Sequence, residues 1–341
     1  MLAMVIELTD ELVTCPDERL DSLSICIENL LIGHYEGNHF LMISLPLCGY
    51  IRKKGLFKTE RAEKALHAIE VGGNYVPDVL WRLLVVLDNP DSTKHEVEYT
   101  FFLHSRTILP TAFLCENLDD IEFYMKLAKL CHPNSSMRAS HYHGGGGTTA
   151  DVFSYLKKLH VLCLVILDSD VKYPECKKGD TAQRCLNRYK RKVGYIEMKM
   201  LDVHEAENLI PIAFLRKIAS NKGKNILKKM AANNFLEALV YYDVKEGIKK
   251  EDVESDKQYK TYCEELYNKI YTSKNSNFAK FLSQKQDLTA YLFDQIGSKL
   301  LIKFIEDKAM CYVDDVMSRY RKQIAELVYT CLCCRGDDPL N

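Results

Sequence analysis

The feature that most constrains this chain is Val161–Asp170, VLCLVILDSD, where seven apolar residues run into two aspartates one residue apart. A run of that length, rich in Val, Leu and Ile, predicts a strand buried on both faces of a sheet. Such strands present functional groups at their carboxyl ends, which places Asp168 and Asp170 at a rim where ligands bind.

Upstream, Thr107–Cys115 (TILPTAFLC) reads as a second strand ending at Glu116. Asn117–Asp120 then cap a helix to about Leu130, with Asp119 or Asp120 at its N-terminus, where acids are favoured. A possible short strand, four glycines (Gly144–Gly147) and a helix expected over Thr149–Leu159 lead into the opening run. Strands alternating with helices imply a parallel sheet with right-handed crossovers, so Glu116, Asp168 and Asp170 are expected at one sheet edge. Beyond Asp170 come a loop, a basic helix from Asp180 or Thr181 to about Lys192, and a less buried strand over Tyr195–Met200. That strand leads to His204, Glu205, Glu207 and Asn208.

Carboxylates converging on one rim repel unless a cation neutralises them, and hard oxygen ligands suit Mg²⁺ or Mn²⁺. Glu116, Asp168, Asp170, Glu205 and Glu207 are the expected metal ligands. Two such ions activate water and stabilise the leaving oxygen of a phosphodiester. Gly145, Gly146 and Thr148 have the makings of a phosphate cradle, in which loop N–H groups and the following helix N-terminus face an anion. No Lys follows the glycines, so this is not a Walker A loop. His141 and His143 flank it as possible proton carriers, or as solvated loop residues.

The net charge of −1 conceals a basic stretch between Lys172 and Lys229. Lys177, Lys178, Arg184 and Arg188 are its candidates for holding a phosphate backbone, with two solvated helix faces as the alternative. The balance of 47% hydrophobic and 27% charged residues is that of an ordinary globular chain. No apolar run approaches the roughly 20 residues that span a bilayer, and the N-terminus lacks the basic region of a signal peptide. A cytoplasmic protein with no membrane partner is expected. The 13 cysteines have no regular spacing and read as reduced thiols. Cys331, Cys333 and Cys334 form a cluster that is either a metal or redox site or a set of terminal free thiols.

Residues 1–105 read as a mixed accessory region. Helices are expected over Asp17–Leu31 and Thr59–Ile69, an apolar run over Val79–Leu87 holds the only tryptophan, Trp81, and breaks fall at glycines such as Gly72 and Gly73. Residues 106–215 read as the catalytic domain and residues 216–341 as a helical region, with an acidic linker-like stretch at 245–257.

The motifs resemble those of TOPRIM domains. Glu116 with Asp119, Asp120, Phe123 and Tyr124 looks like the first TOPRIM motif, and the glycine loop and LDSD look like the later ones. HEAEN, His204–Asn208, is similar to the acid–Asn segment of OLD-like and DUF4435-type TOPRIM nucleases, including the nuclease subunit of PARIS-type antiphage systems. The resemblance spans about Thr107–Pro211 and implies a Rossmann-like, mostly parallel sheet flanked by helices. It implies that Glu116 is a metal ligand or general acid/base, that Asp168 and Asp170 bind metal, and that Glu205 and Glu207 complete a second metal position. Lys172 is the candidate acid/base lysine, and Asn117 departs from the family's usual glycine. The implied activity is metal-dependent cleavage of DNA or RNA in defence against phage, with an ATPase as possible regulatory partner and a homodimer as a possible state.

Other readings stay open. A nucleotide-sugar glycosyltransferase would use LDSD to hold Mn²⁺ but has no role for Glu116, Glu205 or Glu207. An aspartyl-phosphate phosphatase fits poorly because Val171 and Lys172 follow the pair. A TOPRIM scaffold that binds nucleic acid or a partner without cutting is the non-enzymatic alternative.

Overall fold

Two four-stranded sheets carry the α/β architecture of this computed structural model, which describes residues 4–72, 78–190, 192–271, 277–285, 287–308 and 314–334. The first sheet contains β1 (Val5–Leu8), β2 (Phe40–Met42), β3 (Leu83–Val86) and β4 (Glu96–Glu98) in the order β2-β1-β3-β4. Every pairing in it is parallel. Its helices are α1 (Leu20–Tyr35), α2 (Leu45–Lys54) and α3 (Glu60–Val71). Helix α1 buries Leu23, Cys26, Ile27, Leu30 and Leu31, a stripe at spacings of three and four that faces the core. Ser44 caps α2 by accepting the Leu47 N–H, and Gly55 ends it in the left-handed region at φ +65°. The region expected to be mixed is thus a parallel α/β layer. Gly73 lies outside the described residues.

The second sheet follows in the chain: β5 (Ala112–Cys115), α4 (Leu118–Cys131), the short β6 (Ser136–Met137), β7 (Ser140–His143), α5 (Thr149–Leu159), β8 (Cys163–Leu167), α6 (Asp180–Arg188) and β9 (Ile196–Met200). Its order is β7-β5-β8-β9. Strand β5 pairs in parallel with β7 from Ala112↔Ser140 to Cys115↔His143, and with β8 from Ala112↔Cys163 to Leu114↔Val165. All five residues of β8 are buried, as the apolar run requires. Asn117 and Asp120 form a capping box at the start of α4, with Asp120 Oδ2 accepting the Asn117 N–H at 2.9 Å.

The chain divides into two units. One holds Met1–Ile166, Arg184–Lys199 and Gln323–Asn341; the other holds Leu167–Gln183 and Met200–Lys322. The two units interleave in sequence. The second is largely helical: α7 (Ile212–Ile218), α8 (Asn221–Ala232), α9 (Lys250–Ser255), α10 (Lys257–Ile270), α11 (Phe278–Gln284) and α12 (Leu300–Glu306), with an antiparallel pair β10 (Ile248–Lys249) and β11 (Tyr291–Phe293). The stretch 245–257 is no linker. It contains β10 and α9, and Asp256 caps α10 by accepting the N–H groups of Gln258 and Tyr259. Finally α13 (Ser318–Leu332) runs into β12 (Cys333–Cys334), which pairs antiparallel with β6. Cys331 and Cys333 are buried, and burial pushes the Cys331 thiol well up. The Cys334 side chain lies outside the described residues, as does Arg191. Among the described residues no helix is long and apolar enough to cross a membrane.

Candidate functional site

In the first unit, Glu116 leaves the carboxyl end of β5 and the glycine loop leaves that of the neighbouring β7. The backbone ties them together: Gly144 N–H donates to the Cys115 carbonyl at 3.4 Å and Gly145 N–H to the Glu116 carbonyl at 2.9 Å. Gly145 and Gly146 adopt φ +60° and +70°, where a side chain is strained. At Gly144 a Cβ would collide with the Thr149 backbone. Thr148 Oγ1 donates to the Gly144 carbonyl, so the loop closes directly onto the first turn of α5. A Cβ on Gly146 would lie 3.9 Å from Glu116 Oε2, so the loop faces the acid across open contact distance. His141 and His143 are exposed on β7.

In the second unit, the LDSD turn is stitched to the HEAEN segment. Ser169, fully buried, donates its Oγ to the Val203 carbonyl at 2.6 Å, and the Ser169 and Asp170 N–H groups both donate to the His204 carbonyl, at 3.2 and 2.9 Å. Asp168 Oδ1 accepts the Ala206 N–H at 3.0 Å. Asp170 sits at φ +52° with its side chain pressed on Gly179, where a Cβ would collide with the carboxylate. Asn208 completes the frame. Its Oδ1 accepts the Glu205 N–H at 2.9 Å, while its Nδ2 donates to the Leu239 and Tyr242 carbonyls at 2.5 and 2.7 Å.

That frame gathers Glu205, Glu207, His204, Asp243 and Lys245. Lys245 Nζ lies 2.5 Å from Glu205 Oε2 and 3.8 Å from Glu207 Oε2, and His204 Nε2 lies 3.7 Å from Asp243 Oδ2. One ligand atom each from His204, Glu205 and Asp243 fall within 4.8 Å of one another, an arrangement that can hold a metal ion. Glu205 is 3% exposed, and among the described residues its Oε1 has no hydrogen-bond partner.

The electrostatics follow from burying like charges. Burial, then Glu207, pushes the Glu205 carboxyl up to about 7 against the opposing pull of Lys245. Burial likewise raises Glu207. For Lys245 burial acts downward, but Glu205 and Glu207, with Asp168 adding to them, outweigh it and hold the ammonium well above its usual value. For His204 burial also acts downward and is outweighed by Asp243 and Glu205, so its value is raised. Asp243 is lowered: burial opposes ionisation, and His204 together with the Glu246 N–H overcomes it.

The sequence reading missed Asp243 and Lys245. A signal was present, since DVK follows the apolar ALVYY as DSD follows VLCLVIL, but it ran into the stretch read as a linker, of which Lys245 is the first residue. Lys172 is engaged elsewhere in the second unit, with Nζ 3.0 Å from Asp252 Oδ1 and 5.7 Å from the Tyr259 ring. Of the basic set, Arg188 pairs with Asp151 at 2.6 Å within the first unit; Arg184 in that unit is exposed, as are Lys177 and Lys178 in the second. The chain matches no family model, no curated protein and no solved structure.

Proposed function

We propose that this chain is a TOPRIM-type, metal-dependent phosphodiesterase that hydrolyses nucleic acid, with Mg²⁺ or Mn²⁺ held by the carboxylates of the second unit. The observation that supports it most is Glu205 Oε1, a buried carboxylate oxygen without a donor among several other acids. An ionised oxygen in that position is costly unless a cation meets it. Asp168, Glu205, Glu207 and Asp243 offer hard oxygens, and His204 offers an imidazole. His204 Nδ1 lies 3.2 Å from the Val171 carbonyl; protonation there leaves Nε2 as the ligand atom and favours Mn²⁺ as a tenant beside Mg²⁺. A bound ion would polarise the phosphodiester and lower the pKa of a bound water.

Lys245 stays charged, so it acts toward a phosphate oxygen as a donor and not as a base. Asp170, whose N–H donates to the His204 carbonyl within the second unit, enters as a determinant of phosphate position, while Glu116 and the glycine loop enter only through the family resemblance. As an effector of antiphage defence the nuclease would be held silent until a partner ATPase releases it.

The test is cleavage of labelled DNA and RNA in Mg²⁺, Mn²⁺ or EDTA by the native chain and by Asp168→Ala and Glu205→Gln, alongside Mn²⁺ binding read by calorimetry. Cleavage that survives both substitutions would sink the reading. A second reading, the non-cutting scaffold, draws on Lys245: its ammonium against Glu205 already supplies neutralising charge. That reading expects neither Mn²⁺ binding nor metal-dependent cleavage.

A further inference from the structure

A groove of about 630 Å³ in the first unit opens at the amino ends of β8 and β9, the edge opposite the one from which Glu116 and the glycine loop emerge. Its size falls within the roughly 300–1,000 Å³ range of small-ligand sites. One wall is β4 and the turn after it; the other is the end of α5 and the loop before β9. Phe101 and Tyr195, both half-buried, pack at 4.8 Å between ring centres and 31° between planes, and present a joint aromatic platform. The His160 ring lies 6.0 Å from Tyr195 on a backbone at φ +52°, a conformation that costs a non-glycine residue energy and persists where surroundings enforce it.

The charges around the groove are unevenly matched. Glu98 is met by Arg19 at 3.7 Å, and Glu96 Oε2 accepts the Asp91 N–H at 2.8 Å. Among the described residues no ion pair is formed by Glu96, Lys157 or Lys192, so with Glu98 met by Arg19 the lining leaves two ammonium groups to one carboxylate. Lys157 Nζ donates only to the Arg188 carbonyl, at 3.2 Å, and Lys192 is exposed, its charge felt by Glu197 without a bridge. Two residues after Lys192 the backbone lies against β4, since a Cβ on Gly194 would collide with the Glu96 carbonyl. Two ammonium groups lining a groove beside an aromatic platform are the chemistry that recognises a phosphate joined to a planar base.

We infer that this groove binds a nucleoside 5′-phosphate, with its base against Phe101 and Tyr195 and its phosphate between Lys157 and Lys192. The unit comes either from a free mononucleotide or from the phosphorylated end of a nucleic-acid strand. The site does not depend on the nuclease reading.

The experiment is binding, with EDTA present, of AMP, UMP, inorganic phosphate and tetranucleotides bearing either a 5′-phosphate or a 5′-hydroxyl to the full chain. Lys157→Glu and Lys192→Glu are each expected to weaken nucleotide binding about tenfold or more, while Lys158→Glu, exposed on the same helix, leaves it unchanged. Thermal melting of each variant separates lost binding from lost folding. Tighter binding of the mononucleotide assigns the free source, and tighter binding of the 5′-phosphorylated tetranucleotide assigns the strand end. The inference is overturned if no nucleotide binds, if charge reversal at both lysines changes nothing, or if inorganic phosphate binds as tightly as the nucleotides. Because no metal is needed, failure here leaves the proposed nuclease untouched.

Discussion

The Glu116 loop and the Glu205 cluster are both acids beyond strand ends, yet they are built by different physics. The first is a matter of backbone geometry: glycines at positive φ and a contact that admits no Cβ shape an open loop facing a half-buried acid. The second is a matter of buried charge: two glutamates are held in the interior by Asn208, LDSD and Lys245, and burial raises the carboxyl of each. A loop of the first kind can position a ligand without any change of charge. A cluster of the second kind answers to protons and cations, which makes it the better candidate for chemistry.

That contrast is most sharply tested by activity. If the cluster carries the chemistry, Asp168→Ala lowers metal-dependent cleavage by roughly a hundred- to a thousand-fold when assayed well below a melting temperature that falls with loss of the Ala206 N–H bond, whereas Gly146→Ala has a much smaller effect on kcat. The reverse pattern in steady-state kinetics would move the chemistry to the loop.

The next largest effect is on pH. Glu205 titrates near 7 when folded and near the ordinary 4.5 when unfolded, so over that window the folded state holds more protons. Stability contributed by Glu205 is therefore lost as pH rises from about 4.5 to about 7, and that of His204, also raised, is lost as pH rises through its folded value. Cation binding runs the other way, since a proton on Glu205 competes with the ion. Mn²⁺ affinity should fall by up to about tenfold per unit below pH 7. Chemical denaturation across pH, with and without Mn²⁺, reads both slopes; a flat metal-free profile would show that these groups are not perturbed.

Asn208→Ala removes three buried hydrogen bonds and is expected to cost about 3 kcal/mol in urea unfolding. Gly144→Ala forces the loop off Thr149 at roughly 2 kcal/mol, with the cluster's Mn²⁺ affinity preserved. Smallest is Lys172→Ala. Its pairing with Asp252 is 39% and 38% exposed, so loss of stability stays within about 1 kcal/mol and cleavage is unchanged. A thousand-fold loss of cleavage there would make Lys172 the acid/base lysine.

Much of the second sheet was legible in sequence. The helix expected over Thr149–Leu159 occupies those residues, and the strands before Glu116 and Asp168 exist, shortened at their amino ends because Ser105–Ile108 forms a 3₁₀ turn and the pairing of β8 with β5 begins at Cys163. Such elements announce themselves through local period and burial. The first sheet was not legible, since its strands are three or four residues long and carry little periodic signal. Asp119 and Asp120 show the limit of motif reading in another way: Asp120 is spent on the α4 capping box, a role its position beside Asn117 equally allows.

The sequence by itself determined that an apolar strand would end in Asp168 and Asp170 and that acids would follow other strands, because hydrophobic alternation and turn residues act over a few positions. Only the tertiary structure decided which charges meet. Lys172 was drawn to Asp252 and Lys245 to Glu205, over separations in sequence of 80 and 40 residues that no local pattern encodes. Long-range pairing is chosen by the packing of whole elements, and the protonation of the buried acids follows from that packing alone.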